Sequence, residues 1–105
     1  MTEFKILADE EGPFGFEISG HSSDNCDDIV GKTVCAAVSS AAYMPANTVS
    51  EIIKYSCSAD VKNGYMKFCI SHPSKESKDL ILGLRLHIQG LSEQYRGRVR
   101  IITEV

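Results

Sequence analysis

The dipeptide Asn63-Gly64 constrains this chain more than any other feature, because it folds its two flanks into a hairpin of defined register. Asn-Gly is favoured in the two-residue type I′ turn, where both central residues need positive φ. Folding back about it pairs Val61 with Met66, Ala59 with Phe68 and Cys57 with Ile70, all on one apolar face. The opposite face pairs Asp60 with Lys67, a favourable cross-strand charge match. Cys57 is therefore expected in the core and Cys69 on the more polar face.

The remaining segments read outward from that hairpin. Phe4, Ile6 and Ala8 alternate with polar neighbours, and Asp9-Glu10-Glu11-Gly12-Pro13 forms a turn. Phe14, Phe16 and Ile18 alternate again, so a second strand ends at Gly20-His21. Ser22 to Gly31 is polar and acidic without periodicity, and reads as a loop. From Thr33 or Val34 the run Cys35-Ala36-Ala37-Val38-Ser39-Ser40-Ala41-Ala42 consists of helix formers and small side chains. Pro45 removes one backbone donor, so this helix is expected to kink or restart there and to run on to about Lys54.

After the hairpin, Ser74 is an N-cap candidate, although Ser77 at the third position is not the usual Glu or Gln. The segment from Ser74 to Tyr95 fits two periods. Leu80, Leu82, Leu84, Leu86 and Ile88 alternate like a strand, whereas Leu80, Leu84, Ile88, Leu91 and Tyr95 follow helical spacing. It is too long for one strand and lacks a turn pair, which selects helix. Val99, Ile101, Thr103 and Val105 alternate as a closing strand. The predicted fold is α+β, in the order ββαββαβ. Two helices pack on one face of a mixed, mainly antiparallel sheet of about five strands.

Composition narrows the classes of function. A chain of 105 residues is expected to form one domain over residues 1–105 with a modest core. A net charge of −3 disfavours direct nucleic-acid binding, which depends on phosphate contacts. The opening Met1-Thr2-Glu3-Phe4-Lys5-Ile6 alternates polar and apolar residues, which argues against a secretory signal, and no apolar run approaches a membrane span. Cys26, Cys35, Cys57 and Cys69 show no C-x-x-C pair and no zinc-module spacing. They are expected to be reduced thiols in the cytoplasm, with no metal and no cofactor.

Chemistry converges on Cys35 and His21. A thiol attacks as thiolate, and a helix N-terminus, a neighbouring imidazole and partial exposure all favour that form. Cys35 is expected to open the first helix, where unpaired N–H groups would also hold an oxyanion. His21 ends the strand before it and is placed to act as its base and acid. The plainer alternative is a cysteine packed as a small hydrophobe in an Ala-rich helix and a histidine in a surface loop.

Gly20-His21, an acidic loop and then Val34-Cys35-Ala36-Ala37-Val38-Ser39 resemble the signature of the bacterial Prp family of ribosomal-processing cysteine proteases. The resemblance extends over nearly the whole chain. It implies a homodimeric endopeptidase that removes the N-terminal extension of a large-subunit ribosomal protein precursor, number twenty-seven, by a Cys–His dyad. On that basis Cys35 is the nucleophile and His21 the general base and acid. Gly20, Ser39 and Asp28 are supporting residues, Ser39 lying one helical turn after Cys35. Many members carry an Asp three residues before the cysteine. This chain has Lys32 there, with Asp28-Ile29-Val30 earlier, so Asp27 and Asp28 both stand as candidates to orient His21, and Lys32 as one to stabilise the thiolate.

Two other classes compete with the protease. One is a non-catalytic, ribosome-associated protein-binding module in which Cys35 merely packs. The other is a thiol redox protein using Cys26 as resolving partner to Cys35. Asp24, Asn25, Asp27 and Asp28 read as a solvated acidic loop that lacks the glycine and terminal glutamate of an EF-hand. Arg96, Arg98 and Arg100 read as the exposed face of the closing strand.

Overall fold

The computed structural model describes residues 1–21 and 28–102. Strands β1 (Thr2–Asp9) and β2 (Gly12–Ser19) form the first hairpin, followed by helix α1 (Ile29–Asn47) and a π-helical turn (Thr48–Ile53). Strands β3 (Cys57–Lys62) and β4 (Tyr65–Ile70) form the second hairpin, and α2 (Lys75–Gln94) leads to β5 (Val99–Ile102). The sheet order is β3-β4-β2-β1-β5. Among the described pairings β1–β5 is parallel, because α2 carries the chain from β4 back across the sheet to the β1 edge, and the other three are antiparallel. This is the mixed five-stranded α+β sheet expected from the sequence.

The hairpin register also matches, with Cys57 opposite Ile70, Ala59 opposite Phe68, Asp60 opposite Lys67 and Val61 opposite Met66. The turn itself differs. Among described non-glycine residues only Lys54 has positive φ, so Asn63 does not, while Gly64 takes +73°. That sign pattern is type II rather than I′. The turn is tied down from outside the hairpin, because the Gly20 N–H donates to the Gly64 carbonyl at 2.9 Å. Cys57 is half-buried against the core, and Ala59 and Val61 on the same face are exposed. The reason is position: β3 is the edge strand, where the sheet runs out beyond its helical cover.

The core lies between the sheet and both helices. Phe4, Phe16 and Phe68 sit side by side on β1, β2 and β4, with ring centroids 6.1 and 5.6 Å apart. Val34, Val38 and Ala42 of α1 and Ile81, Leu84 and Ile88 of α2 join the same buried cluster. Burying each of these larger side chains contributes about 1.5–3 kcal/mol. The helical reading of α2 holds, with Leu84 and Ile88 buried while Leu82 and Leu86 are exposed. Its capping box closes with serine in place of glutamate. The Ser77 N–H donates to Ser74 Oγ at 3.2 Å, and the Ser74 N–H donates to Ser77 Oγ at 2.9 Å.

Helix α1 starts earlier than its apolar pattern suggests. Asp28 is the N-cap, its carboxylate accepting from the Gly31 N–H at 2.9 Å and pairing with Arg98. The cap sets the start, while Ile29 and Val30 remain exposed and contribute no periodic signal. Pro45 does not restart the helix, which continues through it to Asn47. It then widens into the π-helical turn and stops at Lys54, in the left-handed conformation at φ 62°. Arg98, just before β5, is held by Asp28, and Arg100 within β5 by Glu3, so these arginines are not simply a free polar face. Thr103 and Val105, the acidic loop residues Asp24, Asn25 and Asp27, and Cys26 with its resolving-thiol reading lie outside the described residues.

Candidate active site

Three parts of the chain meet at one cavity of about 380 Å³. The end of β2 brings Gly20 and His21, α1 brings Cys35, Val38, Ser39 and Tyr43, and the second hairpin brings Val61 through Met66. His21 and Cys35, from different elements, therefore line the same space. Cys35 is half-buried and in no disulfide, and His21 and Ser39 are exposed. Ser39 follows Cys35 by one helical turn, so both face the cavity.

His21 is held from several sides. Its carbonyl accepts from the Met1 backbone nitrogen at 2.7 Å, and the preceding Gly20 N–H bonds Gly64. Gly20 takes φ +89°, and a β-carbon there would lie 2.3 Å from the Met1 carbonyl oxygen. The imidazole rests on the bare Cα of Gly64, where a β-carbon would lie 2.5 Å from His21 Nε2 and 3.0 Å from Cε1. The turn glycine thus has two roles: it adopts positive φ, and it leaves room for the ring. Asn63-Gly64 announced a turn in the sequence but not that the turn would abut the end of β2. No local pattern carries that information.

Cys35 does not open its helix. It lies in the second turn of α1, so its own N–H is within the helical ladder rather than free to hold an oxyanion. The first-turn N–H groups of Gly31 and Lys32 donate to the side chain and carbonyl of Asp28. The helix dipole acts mainly over the terminal turn, so the expected help from the N-terminus is correspondingly reduced. Asp28 and Lys32 are not among the residues lining the cavity. Through its cap, Asp28 fixes where α1 begins.

Tyr65 completes the wall near the hairpin. Its hydroxyl donates to Glu17 Oε2 at 2.6 Å, and this hydrogen bond, assisted by desolvation, pushes its pKa up to about 12. It stays a neutral phenol at ordinary pH and does not compete with an imidazole as base. Lys62 lies over the Tyr65 ring, 5.4 Å from its centroid, and 3.9 Å from Asp60. Among the described residues, no group of three or more His, Cys, Asp or Glu side chains could hold a metal ion. No described helix is long and apolar enough to cross a membrane.

A family model described as cysteine protease Prp matches residues 1–100. No curated protein matches the sequence. Among solved structures, the ribosomal processing protease Prp from S. aureus in complex with a substrate peptide superposes with a TM-score of 0.85 at 14% identity, covering 99% of this chain and 100% of that one. The same enzyme with a covalently linked product peptide gives 0.81 at 16% identity, covering 99% and 100%. A Streptococcus mutans protein gives 0.76 at 23% identity, covering 99% and 96%. At these identities the superpositions establish a shared fold.

Proposed function

Because the chain belongs to the Prp family of cysteine proteases, we propose that Cys35 is its nucleophile and His21 its general base and acid. The observation that supports the assignment is that both side chains line one cavity, although they come from different elements. His21 would take the thiol proton as sulfur attacks the scissile carbonyl carbon, then return it to the departing amine. That leaves a thioester on Cys35. Water attacks the thioester while His21 accepts its proton, releasing the carboxylate product and regenerating the thiol. Ser39 supports the site from the next turn of α1, Gly20 and Gly64 seat the imidazole, and Asp28 acts through the start of the helix. The arrangement is a dyad.

The substrate proposed is the N-terminal extension of a large-subunit ribosomal protein precursor, number twenty-seven. Two facts support it: the family membership, and the fold shared with the S. aureus ribosomal processing protease. Cys35, Cys57 and Cys69 are in no disulfide, which suits a reducing cytoplasm. The family resemblance extends the proposal to a homodimer. The test is incubation of the protein with a peptide spanning the extension, read by mass spectrometry. Wild type should cut once, and Cys35→Ala and His21→Ala should not, with unchanged circular dichroism. Cleavage retained in folded Cys35→Ala removes the dyad.

A further inference from the structure

The sheet edge beside the cavity is β3, which pairs only with β4 among the described strands. Its residues Ser58 to Lys62 are exposed, and its register with β4 is regular over Cys57–Lys62 without a bulge. It contains no proline. Natural sheets usually blunt such an edge with charged side chains, a bulge, a proline or a covering segment, because an open row of N–H and C=O groups recruits another strand, and among the described residues β3 carries only the charges of Asp60 and Lys62. Here the charged pair Asp60 and Lys62 points to the face away from the helices, and its members lie 3.9 Å from each other.

The register shows which backbone groups are open. The Ser71 N–H donates to the Ser56 carbonyl at 2.9 Å, marking Ser56 and Ser71 as a hydrogen-bonded pair just beyond the strand ends. Antiparallel ladders alternate such pairs. Ser58, Asp60 and Lys62 therefore turn their amides and carbonyls inward to β4, and Ala59 and Val61 turn theirs outward. The side chains of Ala59 and Val61 lie on the helix-facing side, and Val61, half exposed at 50%, lines the cavity that holds Cys35 and His21. The open backbone row thus runs straight into the cavity wall.

We propose that the substrate binds as an added β-strand along β3, hydrogen-bonded to the outward N–H and C=O groups of Ala59 and Val61. This inference rests on the protease reading above and concerns how the peptide is presented. An extended chain docked on a sheet edge takes its affinity from main-chain bonds and its specificity from every second side chain. The alternate side chains of the substrate would point to the cavity, an apolar one beside Val61 and Tyr43. The ladder would hold the scissile bond at fixed height against α1, which is the positioning that a thiolate attack requires.

Two measurements test it. In the first, Cys35→Ala is mixed with the uncut extension peptide and amide hydrogen exchange is followed. The amides of Ala59 and Val61 should slow on peptide addition, while those of Ser58, Asp60 and Lys62, already bonded to β4, should change little. Bound peptide with no slowing at Ala59 and Val61 overturns the proposal. So does slowing that needs no peptide and grows with protein concentration, because the strand is then covered by a second copy. In the second, wild-type enzyme is given peptides N-methylated at successive positions, which leaves the protein unaltered. KM should rise roughly tenfold per lost bond at alternate positions only. A uniform response, or none, with cleavage intact overturns strand addition but leaves the dyad standing. Absence of any cleavage of the unmodified peptide by wild type removes the protease reading, and this inference with it.

Discussion

Gly64→Ala tests the seat of His21 most directly. The substitution has two separable consequences. An L residue held at φ +73° costs about 1–2 kcal/mol, which for a chain of 105 residues lowers Tm by roughly 4–10 °C. The added methyl would also stand 2.5 Å from His21 Nε2, where ordinary contact begins at 3.4 Å, so the exposed ring moves by about 1 Å. A displacement of that size at a reacting group can cost on the order of 100-fold in rate. The control is Gly97→Ala, which has φ +82° but nothing within 4 Å of its new methyl. Both variants should lose similar stability by thermal melting. At a temperature well below both midpoints, Gly64→Ala should lose about 100-fold in kcat/KM for peptide cleavage, and Gly97→Ala should keep wild-type activity. Equal activity in the two variants refutes the seating of His21 by Gly64, whatever their stabilities.

Three further predictions concern the frame around the site. Asp28→Ala removes both the α1 cap and the Arg98 pairing, and should cost at least about 1–2 kcal/mol in a denaturant titration. Asp28→Asn, which can still cap, should lose less, and equal loss would show that the cap is not the main contribution. Ser74→Ala should destabilise by about 1 kcal/mol, and the Ser74→Ala/Ser77→Ala double variant should lose less than the sum, because the two serines satisfy one reciprocal box. In an ultraviolet titration, one of the four tyrosines should ionise near pH 12, and Glu17→Gln should return it toward 10. The folded protein binds the Tyr65 proton more tightly than the unfolded chain does. The stabilisation is therefore fully present below about pH 10 and is lost as pH rises toward 12.

Local chemistry settles a good deal of this fold. Asn63-Gly64 and the alternation on either side of it specified the β3–β4 register residue for residue. A slip by one position would have turned Met66, Phe68 and Ile70 outward. Helical spacing in Leu84 and Ile88 identified the buried stripe of α2, and the acceptor-rich Ser74 marked where it starts. The sequence motifs also singled out Cys35 and His21. These are all properties of neighbours a few residues apart, where backbone geometry fixes the relation between spacing and face.

What the chain could not announce locally was where separate elements meet. The start of α1 depended on Asp28, which reads as one more acid in an acidic loop until Arg98, from the far end of the chain, is brought beside it. The hairpin turn is tied to the end of β2 by the hydrogen bond from the Gly20 N–H to the Gly64 carbonyl, and the room for an imidazole over Gly64 exists only because β2 and β4 are neighbours. The exposure of Ala59 and Val61 follows from the position of β3 at the sheet edge, which its own pattern does not encode. Sequence therefore determined which strands pair locally, and it nominated the residues proposed to carry the chemistry. Tertiary structure decided what lies across the cavity from the cysteine, because long-range contacts form between segments whose local patterns contain no record of one another.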